Sequence, residues 1–408
     1  MGNIFMKIIK FISFAAKPIA ILTEAIAKKE YAVVSPDGTT LTFYFDKHKS
    51  SRQGTAYRLN VGKANPKWVD FVDFGEYSFP RNSNYTTVVF DESFKDARPV
   101  SCAYWFGGFK NLTKIEGIDN LNTSRVRNMS CMFWGCDILQ SVDMSGFNTS
   151  KVTDMNRMFW GCKSMESIDL SSFNTANVTD MHEMFSGCEA LDSLDLSSFN
   201  TSKVTDMSYM FWGCEVLENL DLSGFNTANV TDMSCMFWEC EVLENLDLSN
   251  FNTSKVISMD GMFSGCKCLS KLDVSCFNTS KVVIMSEMFK DCKRLESVGV
   301  DGFNTSQVMD MGKMFSGCEN LQKLDISNFN TSLVIEISEM FSGCKSLKTI
   351  YVGEGWDTYL VGNPEYVFYD CTSLVGGKGT KYDSEFVDVA RAKIDGGKDE
   401  PWYFTAKK

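Results

Sequence analysis

Hydrophobic and polar positions follow one pattern along most of the chain, and this pattern repeats every 26 residues. One unit, residues 191–214, reads LDSLDLSSFNTSKVTDMSYMFWGC. The dipeptide Met-Phe marks the same place in successive units, without insertion or deletion. Its methionines are Met132, Met158, Met184, Met210, Met236, Met262, Met288, Met314 and Met340. A fixed period of this length lies within the range of leucine-rich repeats, in which each unit forms one coil of a stack.

Within a unit, the spacing of the apolar residues predicts two legs that share one core. Leu194 and Leu196 flank Asp195, which places both leucines on one face of a short strand and the aspartate on the other. After a turn at Phe-Asn-Thr-Ser, apolar residues recur at intervals of three and four, which indicates a short helix. These residues are Val204, Met207, Met210 and Phe211. The sequence therefore predicts an α/β solenoid of short parallel strands and short helices.

A single coil of this kind cannot fold by itself. Its apolar side chains contribute roughly 15 to 25 kcal/mol on burial, whereas ordering the backbone of one coil costs roughly 25 to 50 kcal/mol. Stacking buries each coil against both neighbours, so the array needs a cap at each end. We predict a β-rich cap over residues 31–100, the solenoid over residues 101–350, and a degenerate repeat with a C-terminal cap over residues 351–408.

Local sequence supports both caps. A turn at residues 35–38 separates β-prone runs at the N-terminal end. The predicted strands there lie at residues 33–34, 41–45, 67–71 and 86–90. Residues 102–131 read as a degenerate first coil. Residues 367–374 are a decayed copy of the helical leg, one residue out of register, and we expect this copy to close the stack.

Residues 1–30 form a leader with two interpretations. Lys7 and Lys10 precede an apolar stretch, and the sequence at residues 25–27 is similar to a signal-peptide cleavage site, which favours export. Lys17 interrupts the apolar stretch, which is too short to span a membrane. Because the lysines fall on one side of a helical wheel, an amphipathic helix in peripheral contact with a membrane surface is the alternative.

Charge and cysteine content narrow the class of protein. The formal net charge of −12 opposes nucleic-acid binding, which depends on clustered lysine and arginine. Most of the fifteen cysteines recur at one position of the repeat. They are Cys136, Cys162, Cys188, Cys214, Cys240, Cys266, Cys292, Cys318 and Cys344. Stacked side chains point the same way rather than toward each other, so we predict a reduced, buried column rather than disulfides.

Four tryptophans occupy the position after Met-Phe, where serine stands in other coils. The tryptophans are Trp134, Trp160, Trp212 and Trp238, and the serines are Ser186, Ser264, Ser316 and Ser342. Since serine is accepted at this position, we expect it to be exposed, with the aromatic side chains forming a patch that binds sugars or protein partners. The alternative is that the tryptophans are partly packed on the convex side of the stack.

A column of aspartates runs along the predicted strands. It comprises Asp143, Asp169, Asp195, Asp221, Asp247, Asp273 and Asp325. Like charges about 5 Å apart repel by roughly 1 kcal/mol per neighbour in water and by several times more inside a protein, so this column must face solvent. It is interpreted as a solvated column hydrogen-bonded to adjacent backbone or serine, with a surface for cations or basic ligands as the alternative.

The remaining motifs favour structure over chemistry. Asn-Thr-Ser recurs as an apparent glycosylation sequon, which we interpret as turn chemistry in which asparagine bonds to local backbone. Its asparagines are Asn122, Asn148, Asn200, Asn252, Asn278, Asn304 and Asn330. Neither His48 nor His182 lies within a catalytic-triad, paired-carboxylate or phosphate-loop pattern. We therefore expect no enzymatic activity, no catalytic residue, no metal and no cofactor.

The repeat as a whole resembles the BspA-like leucine-rich-repeat bacterial surface proteins. The resemblance is specific in the unit from Leu191 to Cys214 and covers about residues 121–350. The flanking segments resemble the family too. They are residues 41–45, 89–94, 374–380 and 392–397. The resemblance implies a cell-surface or secreted protein that adheres to matrix proteins, other cells or glycans, and it implies no catalytic residues.

Two functional hypotheses follow from the sequence. The first is a non-enzymatic surface or secreted repeat protein that binds protein or glycan ligands on host or microbial surfaces. The second is an intracellular or membrane-associated scaffold in which the same coils serve assembly. The fate of residues 1–30 distinguishes these two hypotheses.

Overall fold

The computed structural model describes residues 27–60, 65–74, 77–80, 84–362 and 364–407. The interpretations of residues 1–26 as a signal or an amphipathic helix lie outside these residues. Over the repeats, successive coils lie side by side and form parallel β-bridges at one position of every unit. The bridged residues are Ser101, Asn128, Asp154, Asp180, Asp206, Asp232, Ser258, Ile284, Asp310 and Glu336. The predicted repeat solenoid is thus confirmed, although its two legs differ from the prediction.

In the coils that follow the first one, the leucine leg forms regular strands only toward the C-terminal end of the stack. There β8 (Lys271–Leu272) pairs with β9 (Ser297–Val298), and β10 (Lys323–Ile326) pairs with β11 (Thr349–Val352), both in parallel. In the coils between, this leg forms no regular strand among the described residues, and Asn219 and Asn245 form an isolated bridge on it. The continuous column of bridges lies on the other leg, immediately before the Met-x-x-Met-Phe segment.

The prediction of a helical second leg was wrong. The structure contains no α-helix in its described ranges, and this leg is a run of turns. Alternate N–H groups donate to carbonyl oxygens of the next coil, 25 residues later, over 2.6 to 3.3 Å. The donors in one coil are Met181, Glu183, Phe185 and Gly187. An α-helix would use these same groups internally, four residues back. Glu183 and Gly187 have φ values of 54° and 69°, in the left-handed region that interrupts any helix.

One continuous core runs through the caps and the stack, from Ala32 to Phe404. The Met-Phe phenylalanines form its axis. Their rings stack from Phe133 to Phe368 with centroids 5.5 to 6.1 Å apart and interplanar angles of 14° or less. Such offset stacking of identical side chains is favourable for aromatic rings and holds successive coils in register.

The cysteine column is reduced and buried, as predicted. Its thiols also make a bond that sequence reasoning missed. The Cys214 Sγ donates to the carbonyl oxygen of Phe185 in the preceding coil, 3.3 Å away. Equivalent bonds of 3.1 to 3.4 Å recur from Cys136 to Cys344. Burial raises the pKa of these thiols, and that of Cys214 to about 12, so they stay protonated and unreactive.

The Asn-Thr-Ser turn carries a polar link between coils. The Asn200 side-chain oxygen accepts from the Ser202 N–H at 3.1 Å, so asparagine bonds to local backbone as predicted. The threonine has a second role. Thr201 is fully buried; its hydroxyl donates to the carbonyl of Asn226 at 3.0 Å and accepts from the Asn226 N–H at 2.7 Å. A polar group that is buried in this way must be fully bonded, and here the neighbouring coil supplies both partners.

The N-terminal cap is a sheet that continues into the first coil. Its strands are β1 (Lys29–Val34), β2 (Thr40–Asp46), β3 (Thr55–Arg58), β6 (Thr87–Phe90) and β7 (Lys114–Glu116), in the order β3-β1-β2-β6-β7. β1 is antiparallel to β2 and β3, whereas β6 is parallel to β2 and β7. A separate hairpin joins β4 (Phe71–Phe74) and β5 (Tyr77–Pro80). Three-residue 3₁₀ helices lie at Lys49–Ser51 and Ile118–Asn120, and a longer one at Glu92–Asp96.

One predicted strand of the cap is mostly a turn. The Val69 N–H bonds back to the Pro66 carbonyl, so residues 67–69 bend and the strand begins only at Phe71. This turn serves the stack, since the Trp68 Nε1 donates to the Trp105 carbonyl at 2.9 Å. The Asn60 side chain donates to another carbonyl of this first coil. The cap therefore supplies donors to carbonyls that no preceding coil can reach.

The C-terminal end closes the stack as predicted. Phe368 stacks on Phe341, 27 residues earlier rather than 26, with centroids 5.6 Å apart. Carbonyl groups of residues 365–369 accept the N–H groups of the last regular coil. β12 (Phe404–Ala406) then adds to β11 in parallel, and a 3₁₀ helix lies at Val389–Arg391. Asp395, 3% exposed, accepts bonds from three backbone N–H groups of the closing loops.

Candidate ligand-binding face

The four tryptophans lie on one edge of the stack, each partly buried, in two pairs. The Trp134 and Trp160 rings are nearly parallel, with centroids 4.9 Å apart and an interplanar angle of 11°. The Trp212 and Trp238 rings are 6.3 Å apart and tilted by 49°. Ser186 stands between the pairs. Partial packing, the alternative from the sequence, describes their burial, while each ring keeps an exposed portion.

The serine that interrupts the tryptophans is not exposed. Ser186 is fully buried, and Ser264 and Ser342 are 2% and 9% exposed, so the inference that serine marks an exposed position was wrong. Three of the four serines at this position are covered by their neighbours, whereas Ser316 is partly buried. Two polar atoms at the interruption, the Ser186 hydroxyl and the Trp160 indole N–H, are buried and have no hydrogen-bond partner among the described residues. Each buried polar atom without a partner lowers the stability of the fold by about 1 to 3 kcal/mol.

Ser186 and Trp160 line a cleft of about 360 Å³, which we call the tryptophan cleft. Trp134 and Trp212 also line this cleft, whereas Trp238 faces another one. The predicted patch is therefore divided. Lysines and carboxylates form the rim, where the Lys163 ammonium lies 2.5 Å from Glu189. The cleft thus combines aromatic faces, unsatisfied polar atoms and charged groups, the usual lining of a specific ligand site.

Glu239 is a second departure from the repeat at this cleft. It replaces the glycine of the Trp-Gly-Cys segment and retains the left-handed backbone of that position, with a φ of 58°. A non-glycine residue there carries backbone strain, of the kind that concentrates at functional sites. Its carboxylate accepts from the Trp212 Nε1 at 3.3 Å. The change from glycine to glutamate was visible in the sequence, but only the structure places it against the tryptophans.

The aspartate column faces solvent, as predicted from its charge. Asp195 is exposed and accepts from the Ser197 N–H at 2.9 Å, and backbone and side-chain hydrogen bonds from Ser197 lower the pKa of Asp195. In the other coils from Asp143 to Asp273, the serine two residues after each aspartate donates its backbone N–H to the carboxylate in the same way. Asp325 differs, because Lys407 lies 2.6 Å from it.

These carboxylates do not converge. Asp195 and Asp221 line a cleft of about 620 Å³, but each carboxylate accepts a hydrogen bond from the serine of its own turn. Within the described residues no group of His, Cys, Asp and Glu is placed to hold a metal ion. The structure therefore favours the solvated-column interpretation of the aspartates.

The two histidines lie apart. His48 precedes the first 3₁₀ helix of the cap, and its carbonyl accepts from Ser51. The His182 Nδ1 lies 2.7 Å from Asp180 on the bridged leg of one coil. The structure does not bring them into one site. Among the helices that the structure describes, none is long and apolar enough to cross a membrane.

Fold and cleft together define a leucine-rich-repeat solenoid with an aromatic cleft on one edge. A family model described as "Mycoplasma protein of unknown function, DUF285" matches residues 100–220, 213–300 and 285–396. These matches cover more than half of the chain, which therefore belongs to this family. The predicted relation to BspA-like leucine-rich-repeat proteins is confirmed.

Two solved structures are similar to the chain. A leucine-rich repeat protein from Bacteroides ovatus ATCC 8483 is 18% identical with a TM-score of 0.39, over 86% of this chain and 93% of that chain. A leucine-rich repeat protein from Eubacterium ventriosum ATCC 27560 is 14% identical with a TM-score of 0.37, over 88% and 96%. No curated protein matches the sequence.

Proposed function

We propose that this chain is a non-enzymatic binding protein, located on or outside a bacterial cell, that takes carbohydrate chains of host or microbial surfaces into the tryptophan cleft. The carrying observation is the pair of unpartnered buried groups, the Ser186 hydroxyl and the Trp160 indole N–H, in a cleft lined by aromatic rings. Every other buried side-chain nitrogen and oxygen atom in the described part of the chain has a hydrogen-bond partner, so folding alone gives no reason to leave these two unsatisfied.

Carbohydrate fits this lining better than an apolar ligand does. The face of an indole ring is electron-rich and attracts the partly positive C–H groups of a sugar ring. Once the tryptophan side chains that cover these two atoms shift, the sugar hydroxyl groups can donate to and accept from Ser186, and they can accept from the Trp160 N–H. Rim carboxylates such as Glu215 and Glu239 add acceptors. A protein ligand remains the second candidate, because exposed tryptophans are also common centres of protein interfaces.

A glycan array in parallel with an array of matrix proteins tests the proposal. Trp160→Ala removes the ring and the donor, and we expect it to abolish glycan binding. Ser186→Ala removes only the hydroxyl, and the loss of one hydrogen bond should weaken binding about 2- to 10-fold. Ser316→Ala is the matched control, since Ser316 holds the same repeat position and its neighbours in that column are Lys290 and Ser342 rather than tryptophan, and it should bind as the parent does.

The outcomes separate the candidates. Glycan binding that Trp160→Ala leaves unchanged would remove the cleft from the function. Protein binding that is lost in Trp160→Ala, with no glycan bound by the parent, would favour the protein ligand. For location, N-terminal sequencing of the extracellular fraction should find residue 28 first, whereas an intact Met1 in the cytosol would favour the scaffold hypothesis.

A further inference from the structure

One repeat position changes character halfway along the stack. In four coils it is Thr153, Thr179, Thr205 or Thr231, and in the next four it is Ile257, Val283, Met309 or Ile335. The threonine hydroxyl donates to the same position of the preceding coil, as from Thr205 to the Thr179 carbonyl at 3.2 Å. The apolar residues give up this bond and gain little burial, since Ile257, Met309 and Ile335 are 51%, 44% and 52% exposed.

These residues form one continuous surface, which we call the apolar stripe. Backbone bonds link consecutive members at 2.8 to 2.9 Å, from Val283 to Ile257, from Met309 to Val283 and from Ile335 to Met309. Coils linked in this way lie about 4.8 Å apart, so the stripe is about 14 Å long. Ile284 and Leu333, 38% and 44% exposed, widen it. Isolated exposed apolar residues need no explanation, but a contiguous row of them marks a contact surface.

An acidic cleft adjoins the stripe. It measures about 520 Å³, and Asp310 and Glu336, two of its lining residues, directly follow Met309 and Ile335 in the chain. Five carboxylates line it against one ammonium group. They are Asp260, Glu287, Asp310, Glu336 and Glu339, and the ammonium belongs to Lys313. Burial and the nearby charges of Glu336 and Glu287 raise the pKa of Asp310. Lys290 also pairs with Glu287, at 2.9 Å, but the five carboxylates still outnumber the two ammonium groups.

We propose that the apolar stripe and the acidic cleft together dock a cationic amphipathic segment of a partner protein. The apolar side chains of the segment would cover Ile257, Met309 and Ile335, and its lysine or arginine side chains would enter the cleft. The docking does not depend on the carbohydrate function, since the lining residues of the two clefts differ.

Other occupants fit less well. A second copy of the chain would oppose one acidic cleft to another, and an anionic membrane or a nucleic acid would be repelled in the same way. An extended strand cannot add to the stripe by main-chain pairing, because its backbone groups already bond between coils. A helix of about ten residues matches the 14 Å length.

The test uses the full chain and two synthetic peptides that form amphipathic helices, one of leucine and lysine and one of leucine and glutamate, measured by fluorescence anisotropy. The lysine peptide should bind the parent and the glutamate peptide should not. The triple variant Ile257→Thr, Met309→Thr, Ile335→Thr restores the residue of the earlier coils, keeps the charge unchanged, and should lose at least about tenfold in affinity. The double variant Asp310→Asn, Glu336→Gln should bind more weakly and with less salt dependence.

The matched control is Thr153→Ser, Thr179→Ser, Thr205→Ser at the same position of the earlier coils, which should leave binding unchanged. Circular dichroism melts establish that each variant is folded. Binding of the lysine peptide that is equal in the parent and the Thr-restored variant would overturn the proposal, as would equal binding of the glutamate peptide. Dimers of the parent in sedimentation that the Thr-restored variant abolishes would replace it with self-association.

Discussion

The buried threonine of the Asn-Thr-Ser turn should contribute more to stability than any exposed polar residue of the same coil. In Thr201→Val the side chain keeps its shape but loses both the bond to the Asn226 carbonyl and the bond from the Asn226 N–H. Two intramolecular hydrogen bonds at about 0.5 to 1.5 kcal/mol each give an expected destabilisation of about 1 to 3 kcal/mol. Thr205→Val is the matched control, since this exposed threonine of the same coil makes one bond of 3.2 Å.

The assay is urea denaturation at 25 °C, followed by circular dichroism, with the free energies of unfolding compared among parent and variants. The control should lose about 1 kcal/mol or less, because water replaces its single bond. If Thr201→Val is no more destabilising than Thr205→Val, the threonine does not link the coils energetically and the reasoning fails. The variant Thr149→Val, Thr201→Val, Thr253→Val extends the test, because three separated links should give about three times the effect of one.

Three further predictions concern thiols, acid and glycine. In the native protein, Ellman's reagent should modify exposed Cys276 and partly buried Cys268. It should modify the thirteen buried cysteines only on unfolding. Rapid modification of more than two thiols in the native protein would contradict their burial. Burial alone would raise the pKa of Asp395, but hydrogen bonds from Thr380 and from backbone N–H groups outweigh it and lower the pKa to about 2. The ionised carboxylate therefore stabilises the fold above the unfolded pKa of about 4, and this stabilisation is lost as pH falls toward 2. The unfolding free energies of the parent and Asp395→Asn should converge at low pH, and a difference that stays constant with pH would refute this. Gly187 has a φ of 69°, and the Cβ added in Gly187→Ala would lie 3.4 Å from the Gly161 Cα, so this variant should lose about 1 to 2 kcal/mol of stability in thermal melts. Gly146→Ala, whose added Cβ meets open space, should be neutral or slightly stabilising.

Sequence periodicity correctly predicted which side chains are buried, but it did not predict the backbone hydrogen bonding of the second leg. Leu194, Phe211 and Cys214 were assigned to the core because apolar side chains recur there, and all three are buried. The helix was wrong because the spacing of Val204, Met207 and Met210 fits any leg that returns the same face every three to four residues. Only the partners of the backbone N–H groups, which lie in the next coil, distinguish turns from a helix.

The candidate site was harder to predict for a related reason. A repeat pattern identifies positions, and Trp160 was found in this way, but the proposed binding surfaces depend on where the residue type changes within a column. Ser186 interrupts the tryptophans, Glu239 replaces a glycine and Ile257 begins the apolar stripe, and each matters through its neighbours in the adjacent coil. Their significance depends on contacts between coils that a single sequence does not display.

The direction of the hydrogen bonds in the turn leg has a consequence for how such a chain can change in length. Each coil offers N–H groups forward and carbonyl groups backward, so any unit can follow any other, while the two terminal closures cannot be exchanged. Unequal recombination that removes or duplicates one 26-residue segment would leave the ladder intact. A duplicated segment inserted between Glu239 and Ile257 would move the aromatic and acidic surfaces apart by about 4.8 Å. Such a duplication would change the distance between the two proposed binding surfaces by one coil.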